Sequence, residues 1–353
     1  MKRYFLLVAA ALAVALAAAG GAQATDQPVG SVLGHSLIPS FAPQPWLRTL
    51  REFPRNPTPR PQPKPKLAPR QAPKQPRPLQ QLRATTLSVY EHSAQPWIVA
   101  AQGCSAAERH ENGIVVLDFG KPAFERGGYG TLLFSGRFAK NHKITAAMLA
   151  YANGYVSCLP TGSTASIEIA RGTSNYHPAV PSAYTAGVRW ARETNRLGLV
   201  LAQEGLAEHV TAAAADDAEP AWDRQFRETR DFFHGFRASV HGHTLYDYGS
   251  LDGGVGAVWS ARQAWYVAGG IRNTKALPEI YNSAMASEWA ELARIARGRY
   301  HRAVHFAGVM TQGTPSCDCG LRPTAAHRVL AQALDSQGVG QVTLPPGGTN
   351  IVG

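Results

Sequence analysis

The sequence predicts a (β/α)8 barrel of the TIM type, preceded by a disordered, proline-rich segment. From about residue 87 onward, short β-rich apolar runs alternate with segments whose apolar residues recur every three or four positions. Eight candidate strands share roughly 250 residues, which is the size of such a barrel. The segment before them has a composition that cannot form a core.

The strands and helices follow from these two periodicities. Strands are predicted at 113–119, 131–135, 165–170, 210–217, 244–248, 264–268, 276–281 and 303–309. Helices are predicted between or after them at 142–153, 182–204, 223–240, 283–297 and 324–336. We assign the folded domain to 87–341 and a flexible, Pro/Gly-rich tail to 342–353.

The N-terminus has the three parts of a secretory signal peptide, which we assign to 1–24. Lys2 and Arg3 precede an apolar run at 4–19, and Ala22-Gln23-Ala24 forms a small-residue cleavage site. No later run reaches the ~18 apolar residues of a membrane span. We therefore expect a secreted, extracellular protein without a transmembrane span. Association of this protein with the cell wall is compatible with that expectation.

The range 25–86 is predicted to be a disordered, basic tether. Between Pro39 and Pro78 the chain holds 13 of its 25 prolines, a pattern typical of extended polyproline segments. The tether carries ten Lys/Arg and two Asp/Glu, whereas 87–353 carries 23 and 22. The positive charge therefore belongs to the tether, which argues against nucleic-acid binding by the folded part. The tether either binds anionic envelope polymers or acts as a solvated spacer.

Three carboxylates follow the predicted strand 210–217 within four residues: Asp216, Asp217 and Glu219. In a strand, Asp217 and Glu219 would point to one side and Asp216 to the other. Paired carboxylates of unequal pKa are suited to general acid/base chemistry. The alternative is that Asp216 or Asp217 caps the next helix and Trp222 belongs to the core.

Other polar side chains also follow predicted strands, where a barrel places its active site. Asp118 and Glu279 are the further catalytic candidates. The predicted substrate-binding residues are Asp216, Arg171, Asn175, Trp222, Asp247, Tyr248 and Asn282.

The sequence Gly113-Ile-Val-Val-Leu-Asp118, with a fourth strand ending Asp217-Ala-Glu219, resembles family 25 glycoside hydrolases, the lysozyme-type muramidases, and related glycoside-hydrolase-like barrels of secreted actinobacterial proteins. In those families an Asp ends the first strand and an Asp-x-Glu pair ends the fourth. The resemblance implies Glu219 as general acid, with Asp217 and Asp118 as electrostatic or water-orienting partners.

The chain is also similar to the large retaining group of barrel glycosidases, which use one Glu after strand four and another after strand seven. That resemblance implies Glu219 as acid/base and Glu279 as nucleophile. Pro278 and Asn282 also allow Glu279 a binding or capping role. The separation of the two carboxyl groups would distinguish the schemes.

Four cysteines in an exported chain predict disulfides, and we favour Cys104–Cys158, since both precede predicted strands. Cys317 and Cys319 would form a very small ring, or else bind metal or react. Carboxylate chemistry of the kind expected here needs no metal or cofactor.

We therefore expect a secreted glycoside-hydrolase-like protein acting on polysaccharide or peptidoglycan. The first alternative is a non-catalytic barrel that binds wall glycan or a partner protein at the same mouth. The second is an envelope structural protein in which the tether does the binding.

Overall fold

The structure, a computed structural model, describes residues 84–313 and 320–353. The predicted signal peptide, the tether as far as residue 83, and Cys317 with Cys319 lie outside these residues. Within them, no helix combines the length and the hydropathy that crossing a bilayer requires.

The described chain is a mixed α/β fold with eleven strands and seven α-helices. The strands are β1 Ala84–Tyr90, β2 Gly113–Asp118, β3 Lys121–Glu125, β4 Gly128–Leu132, β5 Phe138–Lys140, β6 Ile167–Gly172, β7 Val210–Asp216, β8 Leu245–Asp247, β9 Thr274–Ala276, β10 Val309–Gln312 and β11 Gly347–Val352. The helices are α1 Pro96–Glu108, α2 Asn141–Cys158, α3 Ala183–Gln203, α4 Arg227–Ser239, α5 Ala261–Trp265, α6 Ser283–Tyr300 and α7 Pro323–Ser336. All five predicted helices are confirmed.

Eight of the strands form one parallel sheet in the order β10-β11-β1-β2-β6-β7-β8-β9. Strands of this sheet that are consecutive along the chain are neighbours in it, except β9 and β10 at its two ends, and a helix lies between consecutive strands, as parallel βα units require. The sheet is curled. Backbone hydrogen bonds run from the segment after β9 to that of β10, including Met310 N to Pro278 O at 2.8 Å and Ile280 N to Met310 O at 2.9 Å.

Two strands of this sheet were not predicted, β1 and β11. Both are rich in threonine, glycine and serine, so neither shows an apolar run. Their polar side chains bond to each other inside the fold, as in the 2.7 Å hydrogen bond between the Ser88 and Thr349 hydroxyls. These two strands change two predicted boundaries. Residues 84–86, predicted as the end of the tether, belong to β1. The predicted flexible tail, 342–353, contains β11.

Two predicted strands of the main sheet are wrong. The run 131–135 lies partly in β4, which belongs to a separate antiparallel sheet of β3, β4 and β5 inserted after β2. Arg126 and Gly127 both have positive φ, which makes the tight hairpin between β3 and β4. The run 264–268 is helical because Ser260 and Gln263 form a capping box that starts α5. The strand predicted at 276–281 lies earlier in the chain, as β9 at Thr274–Ala276. The strand predicted at 303–309 lies later, as β10 at Val309–Gln312.

Small side chains line the inner face of the curled sheet. Ala170, Ala213 and Ala215 face inward together with Tyr246 and Tyr248, which occupy the space that the alanines leave. The Tyr246 hydroxyl donates to the Glu168 carboxylate at 2.6 Å. The alanine-rich strand β7 therefore allows bulky tyrosines and acidic groups to share the interior.

Helices α1 and α2 pack closely and are joined by the disulfide Cys104–Cys158, whose Cα atoms lie 5.1 Å apart. This confirms the predicted pairing. A Cβ at Gly103 would overlap the Tyr151 carbonyl, so glycine is required for the close approach of the two helices.

Replacing Cys104 and Cys158 with serine is expected to lower the free energy of unfolding by about 4 kcal/mol, because the bridge closes a loop of 54 residues in sequence separation. Denaturant unfolding of the double variant and of the wild-type protein measures the difference. Equal stability of the two proteins would contradict the prediction.

Candidate active site

The carboxylates singled out from the sequence meet at one edge of the sheet. Asp118 ends β2, Asp217 directly follows β7, and Glu279 follows β9 by three residues. The carboxyl ends of parallel strands lie on one side of a sheet, where ligands of such folds bind. Asp118 shares the inward face with Val116, and Asp217 shares it with Ala215, because side chains alternate along a strand.

Asp118 lies in the interior, with its side chain only 1% exposed. Gly172 on the neighbouring strand leaves room for it, since a Cβ there would lie 2.7 Å from the Asp118 Cα. The backbone N–H of Gly120 donates to Asp118 Oδ1 at 2.8 Å, while Oδ2 is buried without a partner among the described residues. Burial raises the pKa of Asp118 to about 7, against the lowering effect of Gly120 and the nearby Tyr248 hydroxyl.

Asp217 is held by its backbone on the loop after β6. Its N–H donates to the Thr173 carbonyl at 2.8 Å, and its carbonyl accepts from the Asn175 N–H at 3.2 Å. The side chain is 6% exposed, and Oδ1 is buried without a partner within the described part of the chain. Burial raises the pKa of Asp217 well above its ordinary value, and the negative charges of Glu279 and Glu219 raise it further.

Glu219 is positioned by Asn175. The Asn175 amide donates to the Glu219 carbonyl at 2.9 Å and accepts from the Glu219 N–H at 3.0 Å. The Glu219 side chain stays partly exposed. Burial raises its pKa to about 7, and Asp252 adds to this, while hydrogen bonds from Ser250 oppose it. A carboxyl group with this pKa is partly protonated at neutral pH.

Glu279 is almost fully buried beside the same group. Burial raises its pKa to about 8, a hydrogen bond from Tyr281 opposes the rise, and the charge of Glu219 adds to it. In chain order Glu279 follows the sixth strand of the sheet, because β1 is the first and the run 264–268 is helical. The strand count behind the retaining scheme, which placed Glu279 after strand seven, is therefore wrong. For the same reason Asp118 ends the second strand and not the first, whereas Asp217 and Glu219 do follow the fourth.

Sequence reasoning missed Tyr90, the last residue of β1. Its pKa is raised by burial and by the negative charges of Asp217, Glu279, Asp118 and Glu219, so the hydroxyl stays neutral and is able to donate a hydrogen bond. The signal that could have identified it is a tyrosine at the end of the run 84–90. Apolar and polar residues alternate only weakly in this run, because Thr86 and Ser88 occupy the positions that face inward.

A cleft of about 390 Å³ opens above Asp118 and Asp217. Aromatic side chains form its walls: Tyr90, Phe134, Tyr176 and Trp222. Tyr176 and Trp222 meet edge to face with ring centroids 5.3 Å apart, and the Lys121 ammonium lies 5.1 Å from the Tyr176 ring. Two buried carboxylates below aromatic walls fit a ligand that has hydroxyl groups and apolar ring faces.

Several predicted substrate-binding residues face away from this cleft. Asp216 and Asp247 are paired across β7 and β8 on the outward face, and Asp216 lines a small space beside Thr229 and Phe232 of α4. Arg171 also points outward, where its guanidinium stacks 3.8 Å above the Trp190 ring. In each case the two-residue period of the strand decides the face.

Three further predicted residues have structural contacts. Tyr248 is fully buried beneath the carboxylates, and Asn175 holds the backbone of Glu219. Asn282 caps α6, where its side chain accepts from the Met285 N–H at 3.0 Å. Of the predicted binding residues, Trp222 lines the cleft.

No known protein-family model matches the chain, and no curated protein matches it. Among solved structures, the chain is similar to a thermostable and highly halotolerant GH5 cellulase from an Icelandic hot spring isolate. The two are 8% identical, the match covers 76% of this chain and 74% of the other, and the TM-score is 0.36. The resemblance to family 25 glycoside hydrolases therefore stays a prediction.

The described residues include no group of three His, Cys, Asp or Glu side chains arranged to hold a metal ion.

Proposed function

We propose that this protein is a secreted glycoside hydrolase that cleaves a cell-envelope or extracellular polysaccharide, such as peptidoglycan. The observation that carries the proposal is the cluster of carboxyl groups at one edge of the sheet, where buried oxygens of Asp118 and Asp217 have no partner in the described chain. An unpaired buried carboxylate oxygen is costly unless a ligand uses it.

In the proposed mechanism Glu219 is the general acid. It is the most exposed member of the cluster, and its raised pKa keeps a proton available near neutral pH. Glu219 donates this proton to the glycosidic oxygen as the bond to the sugar ring breaks. The leaving sugar departs with its oxygen protonated. A water molecule then adds to the anomeric carbon and gives a proton to the Glu219 carboxylate, which completes the hydrolysis and restores the acid.

Asp217 is the proposed partner carboxylate, on the same loop as Glu219. Positive charge develops on the sugar ring as the bond breaks. This charge lowers the pKa that burial raises, so that Asp217 ionises and its carboxylate stabilises the ring. Asp118 lies below and accepts a hydrogen bond from the substrate or from water through its free oxygen. Tyr90 donates to whichever carboxylate is ionised.

We further propose that the curled sheet is a closed (β/α)8 barrel. The hydrogen bonds of Pro278 and Ile280 to Met310 support this, because they join the two edges of the sheet. The disulfide supports secretion, since such bonds persist in oxidising compartments.

Release of reducing sugar from purified peptidoglycan and from neutral and acidic polysaccharides, with the full-length protein, tests the function. The activity is expected to fall as the pH rises above about 7, because Glu219 then loses the proton that it must donate. If the protein sediments with a glycan but releases no reducing sugar from it at any pH, the proposal of a hydrolase is contradicted and a non-catalytic binding barrel is favoured.

A further inference from the structure

The loop between β8 and α5 packs against the segment that carries Glu219. Gly249 makes this contact close, since a Cβ there would lie 2.7 Å from the Ala218 carbonyl oxygen. The Gly249 carbonyl in turn accepts a hydrogen bond from the Glu279 N–H at 3.4 Å. The loop therefore contacts both segments that bring carboxyl groups to the cluster from β7 and from β9.

Asp252 joins this loop to the Glu219 segment through its side chain. Its Oδ2 accepts a hydrogen bond from the N–H of Ala221, two residues after Glu219. Asp252 has a φ of 46°, a left-handed conformation that residues other than glycine seldom adopt, and the next two residues, Gly253 and Gly254, also have positive φ. The contacts of the Asp252 carboxylate offset the cost of this conformation.

Ser250 links the carboxyl groups of Asp252 and Glu219. Its hydroxyl donates to Asp252 Oδ1 at 3.0 Å and accepts from the Asp252 N–H at 3.3 Å. The same hydroxyl and the Ser250 N–H also hydrogen-bond to the Glu219 carboxyl group. A hydroxyl has one proton to donate, so Ser250 serves Asp252 while Glu219 is protonated and serves Glu219 once it is ionised. The two carboxyl groups therefore compete for one donor.

The negative charge of Asp252 acts on Glu219 directly. Burial raises the pKa of Glu219 to about 7, and the Asp252 charge adds to this rise. The other titratable groups that face Glu219 or Asp252 are Tyr90 of β1, Asp217 after β7, Asp247 of β8, Glu279 after β9 and Glu288 of α6. All of them stay in place when Asp252 alone is replaced, so the replacement isolates its charge.

We propose that Asp252 is a positioning residue for the general acid: its carboxylate holds the Glu219 segment through Ala221 and favours the protonated form of Glu219. Ser250 has the opposite influence, because its hydroxyl stabilises the ionised form. The inference rests on the proposed function, since it requires Glu219 to be the acid. Neither residue needs to contact the substrate.

Carbon-13 NMR of the full-length protein, labelled at the glutamate carboxyl carbons, follows the protonation of Glu219 without turnover. The signal that disappears in Glu219→Gln is that of Glu219. We expect the midpoint of its titration to move down by roughly half a pH unit or more in Asp252→Asn. The same midpoint should move up by roughly as much in Ser250→Ala, which removes a donor to the ionised form.

The pH dependence of reducing-sugar release should follow the same two directions. In Asp252→Asn the alkaline limb of kcat is expected to move to lower pH, which corresponds to about a threefold loss in kcat at pH 8. In Ser250→Ala the limb should move to higher pH. A loop that was merely disordered by either substitution would lower kcat at every pH and would not move the two limbs in opposite directions.

The matched control is Asp335→Asn, which makes the same chemical change at an exposed aspartate near the end of α7. We expect it to change neither the Glu219 titration nor the pH profile. Circular dichroism of the variants confirms that they fold. The asparagine in Asp252→Asn can still accept from the Ala221 N–H, so the loop is expected to keep its place.

The outcomes separate this inference from the proposed function. If the Glu219 signal titrates at the same pH in Asp252→Asn as in the wild-type protein, the inference is overturned and the hydrolase stands wherever turnover is seen. If the signal moves as expected but the pH profile of turnover does not, Glu219 is not the acid, and both proposals are contradicted. Absence of turnover in the wild-type protein would contradict the proposed function and, with it, the role of Asp252.

Discussion

The Glu219→Gln variant is expected to lose about 10²–10⁴-fold in kcat on any polysaccharide that the wild-type protein cleaves. Glutamine keeps the shape of the side chain and its contact with Ser250, but an amide cannot give a proton to the leaving oxygen. Initial rates of reducing-sugar release at saturating substrate measure the loss. Since the amide still occupies the same space, we expect KM to change little.

The matched control is Glu208→Gln, which makes the same chemical change at an exposed glutamate before β7. We expect its kcat to equal that of the wild-type protein. If Glu219→Gln retained full activity while folding normally, Glu219 would not be the acid. Glu279, whose pKa is raised to about 8, would then be the next group to replace.

The position of the carboxylates could be read from the sequence because β7 has a strong local signal. Five apolar residues precede Asp216 and Asp217, and a buried parallel strand is the element that such a run forms. Helices were equally clear, since a three-to-four residue period over a dozen positions has few other interpretations. The count of strands was less secure, because a run of four or five apolar residues fits a strand or a helix.

The partners of the carboxylates could not be read in this way. Thr86, Ser88 and Thr349 fill inward positions with polar groups that bond to one another, so the first and last strands show no apolar pattern. Without β1, Tyr90 had no reason to be placed near Asp217.

The direction of side chains near strand ends depended on register. Asp216 and Asp217 are adjacent in the chain, yet one faces α4 and the other the cleft. The period of two separated them correctly at β7. The same period turns Arg171 and Asp247 toward the helices, so the prediction that they line the mouth is wrong.

The Asp217→Asn variant is expected to lose about 10²–10³-fold in kcat, because a neutral amide cannot stabilise positive charge on the sugar ring. Initial rates of reducing-sugar release at saturating substrate measure the loss.

The same substitution should make the protein more stable, by about 1–2 kcal/mol at neutral pH. The folded-state pKa of Asp217 lies above its unfolded value of 3.8, so the wild-type protein loses stability as pH rises above that value. Below it the carboxyl group is protonated in both states, and the two proteins should unfold alike. Thermal unfolding at several pH values measures the difference, which should be absent at low pH and grow toward neutrality.

Asp216→Asn is the matched control, one residue earlier on the outward face. It removes a buried charge of the same kind, so it should also raise stability with pH, but its kcat should stay close to that of the wild-type protein. A gain in stability for both variants with loss of activity only in Asp217→Asn would separate the cost of burying a carboxylate from its use in catalysis. Equal activity of the two variants would mean that Asp217 is buried without being used.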